Sequence, residues 1–282
     1  MHIKTLGVVG AGQMGAGITQ VAARSGLRVV TSDIEDAIVR RGLDTIDHFL
    51  SRGVAKGELS AEDKAAALSR IDICVGLEDL ACVDFVVEAA AESESLKREI
   101  FKTLDSLCAP ETILSSNTSS IPIGRIAAAT SRAHKVIGMH FMHPVPLMQL
   151  VEVIRGLATS DTTFRTTWEL AQRLGKVPAE ANDYPGFIAN RILMPMINEA
   201  IFALYHGVGR REAIDTVMQL GMNHPMGPLA LADLIGLDTC LATMETLCEG
   251  FKDSKYRPCP LLRKYVAAGW LGRKAGRGFY EY

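Results

Sequence analysis

Aromatic residues make up only 6% of this sequence, no cysteine pair has the C-x-x-C spacing, and charge of neither sign is in excess, with 30 basic residues against 32 acidic ones. Each shortage excludes a class of protein. A formal net charge of −2 supplies no global field that would draw the chain onto nucleic acid or an anionic membrane, so an anionic ligand requires a local basic site. The six cysteines (Cys74, Cys82, Cys108, Cys240, Cys248 and Cys259) sit mostly in apolar segments. That placement fits reduced thiols packed as small hydrophobes, and neither a disulfide framework nor a metal cluster. No apolar run approaches the ~18 residues of a membrane span; Asp84 interrupts the longest early one, and Asp233 and Asp238 a late one. The segment Met1 to Leu6 leads into a strand-like run with no secretory signal pattern. The expectation is a soluble, cytoplasmic protein with neither membrane nor nucleic-acid partner.

What is present is an ordinary globular composition, 48% hydrophobic and 22% charged over 282 residues. That length accommodates two domains of roughly 150 residues. Short apolar runs at 6–9, 28–31, 71–75, 85–87, 113–115 and 136–139 alternate with helical patterns at 13–25, 35–51, 60–69, 93–107 and 122–129. Unbroken β-branched runs without polar alternation belong to a parallel sheet covered on both faces. The reading is an α/β, doubly wound, mostly parallel sheet of Rossmann type over residues 1–183, with a helical hairpin projecting over 35–69. From Phe187 onward the pattern turns helical, at 187–205, 210–220, 228–249 and 260–268, separated by Gly and Pro signals. Residues 184–282 are therefore expected to form an all-α C-terminal domain, with the boundary in Asn182-Asp183-Tyr184-Pro185-Gly186.

Gly10-Ala11-Gly12-Gln13-Met14-Gly15 follows the first strand and opens a helix, the context that separates a dinucleotide turn from a glycine-rich loop. Gly10 permits the tight turn, Gly12 lets backbone approach a pyrophosphate, and Gly15 lets helix pack closely on strand. The helix N-terminus then offers unpaired N–H groups to the phosphates. Asp33 ends the second strand, where a carboxylate accepts from the adenosine ribose hydroxyls; capping of the helix that follows is its alternative use. A carboxylate there repels a 2′-phosphate, so NAD is favoured over NADP, although Arg24 and Arg28 leave NADP open.

A second constellation comes from turn arithmetic. Ile137 to Phe141 and Leu150 to Ile154 flank a Pro-containing loop, and a reversal about Pro146 makes His140 and Glu152 cross-strand neighbours. A carboxylate within an apolar strand costs several kcal/mol, roughly, unless it is paired. A histidine partner supplies that pair, and the carboxylate fixes the tautomer of a general base. A structural His and an edge-strand Glu is the competing reading. A metal site at His140 and His143 is disfavoured, because residues three apart on a strand face opposite sides.

Beyond these motifs the sequence resembles the L-3-hydroxyacyl-CoA dehydrogenases over nearly its whole length. The likeness rests on Gly7 to Gly15, Ser115-Ser116-Asn117-Thr118-Ser119-Ser120, Gly138-Met139-His140-Phe141 with Pro144-Val145-Pro146, and Leu150 to Ile154. It continues through Asp183 to Arg191, His224 to Pro228 with Asp233 and Gly236 to Asp238, and Gly272 to Tyr280. The resemblance implies NAD-dependent interconversion of an (S)-3-hydroxyacyl-CoA, such as 3-hydroxybutyryl-CoA, and its 3-oxo form. It also implies His140 as general base, Glu152 orienting it, and Ser119 and Asn190 bonding substrate near the reacting carbon. By the same resemblance Glu92, Lys97, Asn117, Ser119 and Lys274 join the glycine turn as cofactor contacts. Ser51 and Lys56 on the hairpin take the CoA phosphates, and the helical domain forms a homodimer. One position departs from the family pattern: where Phe-Phe-Asn-Pro is usual, this chain has Phe141-Met142-His143-Pro144, placing a titratable ring at the nicotinamide end. Two alternatives remain, a related dehydrogenase of free hydroxy or sugar acids and a non-catalytic NAD-binding protein.

Overall fold

The computed structural model describes residues 3–282, which divide into two compact units, one ending at Asp183 and the other beginning at Tyr184. The first is built on an eight-stranded sheet, counted among the described residues, in the order β3-β2-β1-β4-β5-β6-β7-β8. Its strands are β1 (Thr5–Val9), β2 (Arg28–Asp33), β3 (Ile71–Val75), β4 (Phe85–Glu88), β5 (Ile113–Ser116), β6 (Val136–Phe141), β7 (Leu150–Arg155) and β8 (Val177–Asn182). All neighbouring pairs are parallel except β6 and β7. Helices α1 (Gln13–Arg24), α2 (Asp36–Ala55), α3 (Ala61–Leu68), α4 (Glu94–Leu107), α5 (Ile123–Ala127) and α6 (Asp161–Arg173) accompany it.

The strand order reverses about β1, which lies between β2 and β4, and a doubly wound sheet opens its ligand crevice at such a point, beyond the carboxyl ends of the strands. The glycine turn occupies that position. Gly10 has φ +97, and a Cβ there would press on the carbonyl of Ala89, so β4 and the turn are packed backbone to backbone. A Cβ on Gly15 would collide with the Gly10 carbonyl, which is the close approach anticipated for the third glycine. Beneath the turn, Leu6, Val8, Ile18, Ala22, Val29, Phe85 and Val87 form a dry core, each large aliphatic worth roughly 1.5–3 kcal/mol of burial.

Two features of this unit escaped the sequence reading. Helix α6 buries Thr163, Thr166 and Thr167 beside Leu170 and Ala171, so its inward stripe is written largely in threonine. Strand β8 pairs with β7 in parallel and closes the sheet.

The second unit holds α7 (Ala189–Tyr205), α8 (Arg211–Thr216), α9 (Pro228–Ile235), α10 (Leu237–Phe251) and α11 (Pro260–Ala267). The single helix expected over 228–249 is broken at Gly236, whose φ of +102 cannot continue a helix. The helix expected over 210–220 ends as α-helix at Thr216 and continues as a wider turn over Val217–Gly221. Buried carboxylates lock the C-terminal segment to this unit. Asp215 accepts from Leu229 N at the start of α9 and from the Tyr280 hydroxyl, and Asp233 accepts from Phe279 N and Tyr280 N.

Candidate active site

The antiparallel register pairs His140 with Glu152, and their side chains meet on one face of the sheet with Nδ1 2.8 Å from Oε2. His140 is 8% exposed and Glu152 1%. An ionised carboxylate only accepts hydrogen bonds, so beside one the ring carries its hydrogen on Nδ1 and keeps its lone pair on Nε2. That is the form able to take a proton from a substrate hydroxyl, with Glu152 then balancing the imidazolium.

Beside β6, the ends of β4 and β5 are tied to it by Asn117. Its N–H donates to the Glu88 carbonyl at 2.7 Å, and its Oδ1 accepts from Phe141 N at 2.8 Å, one residue after His140. Asn117 is thereby a brace between three strand ends. Glu92 gathers the next turn, its Oε1 accepting from the Thr118 hydroxyl at 2.6 Å, Ser119 N at 3.0 Å and Ser120 N at 3.1 Å. Burial opposes ionisation of Glu92, but the Lys97 charge and the Thr118, Ser120 and Ser119 donors outweigh it and hold the carboxyl below its usual value. This stabilisation is present above the ordinary glutamate value of 4.5 and is lost as pH falls through the lower folded value. Glu92→Gln should flatten that acid-side loss in thermal melts taken from about pH 7 down to about pH 3; an unchanged slope would remove Glu92 from it.

Lys97 is 1% exposed and does not face solvent; its ammonium lies 2.6 Å from Glu88 and 3.4 Å from Glu92, supporting the Glu92 wall from behind. Glu88 went unnoticed in the sequence. It closes β4 and is followed by Ala89-Ala90-Ala91, so like Glu152 it is a carboxylate with apolar residues on both sides.

At the glycine turn, Asp33 Oδ2 accepts from Ala11 N and Oδ1 from Ile34 N, both at 2.7 Å, which holds the carboxylate at the carboxyl edge of β2 against the turn. The residues fit a dinucleotide. The N-terminus of α1 has no side-chain cap, Gly12 and Gln13 are exposed, Met14 is partly buried, and a Cβ added to Gly12 would meet nothing within 4 Å. Uncapped N–H groups, an open backbone approach and a carboxylate at the end of β2 are what a pyrophosphate and ribose need. His143 is exposed on the loop between β6 and β7.

On the helical hairpin the Ser51 hydroxyl accepts from Lys64 Nζ at 2.7 Å, and Lys64 also pairs with Asp47. Lys56 is exposed at the end of α2. Lys64 thus contacts Ser51, one of the two residues expected to meet phosphate, and the sequence had not singled it out. In the second unit Asn190 lies in the first turn of α7, and Lys274 Nζ is 2.7 Å from Asp238 Oδ2. Among the described residues no group of three His, Cys, Asp or Glu could hold a metal ion, and no helix is long and apolar enough to cross a membrane.

A glycine turn at the switch point of a doubly wound sheet, a carboxylate at the end of β2 and a buried His–Glu pair on the same sheet define an NAD-binding oxidoreductase. Two family models cover the chain: "3-hydroxyacyl-CoA dehydrogenase, NAD binding domain" matches residues 5–184 and "3-hydroxyacyl-CoA dehydrogenase, C-terminal domain" matches residues 186–282. The chain belongs to the 3-hydroxyacyl-CoA dehydrogenase family. It is 57% identical over 282 residues to a probable 3-hydroxybutyryl-CoA dehydrogenase of Bacillus subtilis, covering 100% of this chain and 98% of that protein. It is 58% identical over 280 residues to a 3-hydroxybutyryl-CoA dehydrogenase of Bradyrhizobium diazoefficiens, covering 99% and 96%. The crystal structure of (S)-3-hydroxybutyryl-CoA dehydrogenase from Ralstonia eutropha superimposes with a TM-score of 0.98 at 53% identity, covering 100% of this chain and 99% of that one.

Proposed function

We propose that this protein interconverts (S)-3-hydroxybutyryl-CoA and acetoacetyl-CoA with NAD, with His140 as the general base. The observation that carries the reading is the buried 2.8 Å contact between His140 and Glu152, on a sheet whose switch point carries the dinucleotide turn. When bound, NAD would supply the hydride-accepting chemistry that oxidation at C3 requires. His140 takes the 3-hydroxyl proton, Glu152 stabilises the charge the ring acquires, and Ser119 and Asn190 hold the substrate oxygen in reach. Gly10, Gly12, Gln13, Met14, Gly15 and Asp33 hold the adenosine and pyrophosphate end, and Glu92, Asn117, Ser119, His143 and Lys274 form the rest of the cofactor site, with Lys97 buried behind Glu92 and acting through it. Asp33 disfavours a 2′-phosphate, so NAD is preferred to NADP. We assign Ser51 and Lys56 to the CoA phosphates, which gives a protein of near-zero net charge its local anion site.

We also place residues 1–183 as the cofactor domain and 184–282 as the substrate and dimerisation domain of a cytoplasmic homodimer. The apolar positions Met194, Ile197, Leu229, Leu237, Met244 and Leu247 are buried within the second unit's own core, whereas Ile192, Val208, Val217, Leu220 and Met222 are exposed. The exposed set is the one available to a second copy; a light-scattering mass of one chain would refute the dimer.

The test is oxidation of NADH or NADPH with acetoacetyl-CoA and with free acetoacetate. Turnover should require the thioester and favour NADH, and Lys56→Ala should raise the thioester KM several-fold with kcat little altered. Equal turnover of the free acid would favour the hydroxy-acid alternative, and cofactor binding without any turnover would favour a non-catalytic role.

A further inference from the structure

Glu88 is fully buried, and both of its carboxylate oxygens are occupied: Oε1 by Lys97 Nζ at 2.6 Å and Ala90 N at 2.7 Å, Oε2 by the Ser116 hydroxyl at 2.6 Å. It stands in register with Val9, the residue before the glycine turn. We propose that Glu88 is a positioning residue for the cofactor site: by holding Lys97 it leaves Glu92 incompletely neutralised, and the resulting local negative charge favours the cationic oxidised nicotinamide over the neutral reduced one. This deepens the functional reading above and rests on Glu92 facing the bound NAD.

The distances divide one positive charge between two negative ones unequally. Lys97 lies 2.6 Å from Glu88 and 3.4 Å from Glu92, and its remaining contact is the Ala90 carbonyl at 3.3 Å. Two carboxylates and one ammonium leave the cluster with a net charge of −1, and the member open to solvent is Glu92, whose side chain is 38% exposed while the other two are buried. Glu92 also holds the backbone N–H of Ser119, so the uncompensated charge sits at the turn that carries a proposed substrate contact. If the Glu88 charge were absent, Lys97 would have only Glu92 to neutralise. In a partly buried cleft, one unit of charge changes the binding of a cation about 5-fold, by Coulomb's law at an effective dielectric between water and protein interior. A neutral ligand of the same shape is unaffected to first order.

Dissociation constants of NAD⁺ and NADH, measured by calorimetry and by NADH fluorescence, separate charge from structure. In Glu88→Gln the Kd of NAD⁺ should rise about 5-fold while that of NADH changes less than about 2-fold. The double variant Glu88→Gln/Lys97→Met removes one negative and one positive charge, restores the net −1, and should return the NAD⁺/NADH ratio to that of the wild type. Equal weakening of both cofactors in Glu88→Gln, or a double variant that keeps the altered ratio, would overturn the proposal. Should Glu88→Gln not fold, Lys97→Met takes the cluster to a net −2 and should lower the Kd of NAD⁺ relative to that of NADH about 5-fold, and an unchanged ratio there contradicts the charge argument. Failure of the functional reading shows separately, as a wild-type chain that binds both cofactors and reduces no 3-oxoacyl thioester.

Discussion

His140→Ala is expected to lower kcat for NADH-dependent reduction of acetoacetyl-CoA by about 10²- to 10⁴-fold, with the Kd of NADH little changed. His140 is fixed by the strand register and by Glu152, and its own backbone lies one residue from the Phe141 N–H that Asn117 holds. A ring held at both its backbone and its Nδ1 is placed before substrate arrives, which is the condition for a positioned base to contribute its full factor. Truncating it removes the proton acceptor and leaves the glycine turn, on the far side of β4 and β5, untouched. Glu152→Gln tests the partner. It keeps the side-chain volume, removes the charge that balances an imidazolium, and can turn an amide N–H toward Nδ1, which favours the wrong tautomer. A large fall in kcat with unchanged cofactor binding is the expected result. Equal rates in wild type and His140→Ala would take the histidine out of the mechanism, and unaltered turnover in Glu152→Gln would dissolve the pair.

That pair was legible in the sequence because one physical demand pointed to it: a carboxylate inside an apolar strand must be partnered, and the turn arithmetic about Pro146 supplied the partner. Glu88 makes the same demand and was overlooked, since its partner Lys97 comes from α4, whose placement no local pattern specifies. The glycine turn and Asp33 were readable for the opposite reason, as their chemistry lies within one strand–helix–strand unit. Helix α6 was missed because its buried stripe at Thr163, Thr166, Thr167 and Leu170 has helical spacing but is mostly hydroxylated. The break at Gly236 was missed because apolar periodicity runs on through Leu229 to Leu241 across it. Lys64 was not singled out even though the hairpin was expected, because which residue of α3 meets Ser51 depends on how the two helices pack. Local periodicity therefore carried the sheet and the cofactor turn, while the supporting ion pairs depend on packing between elements distant in sequence.

Lys97→Met is expected to be the most destabilising of these single changes, by about 3–5 kcal/mol in urea unfolding. Distance alone does not decide this. Arg40 and Asp36 lie 2.5 Å apart, closer than Lys97 and Glu88, but their side chains are 67% and 60% exposed, and such a pair is worth about 0–1 kcal/mol. Lys97 and Glu88 are 1% and 0% exposed, so removing the ammonium strands a carboxylate where water cannot solvate it, and the Ser116 and Ala90 donors cannot replace a full charge. The methionine fills most of the volume, so cavity formation is a minor part of the loss. Adding Glu88→Gln should then recover part of the stability, because the stranded charge is gone. The two substitutions should therefore be strongly non-additive, with a coupling of about 0.5–3 kcal/mol, as for groups in direct contact. If Lys97→Met costs no more than Arg40→Met, or if the double variant is less stable than wild type by the sum of the two single losses, the buried pair does not hold the ends of β4 and α4 together. The turn from Thr118 to Ser120 would then owe its position to Glu92 and to Ser116, whose hydroxyl oxygen accepts from Thr118 N.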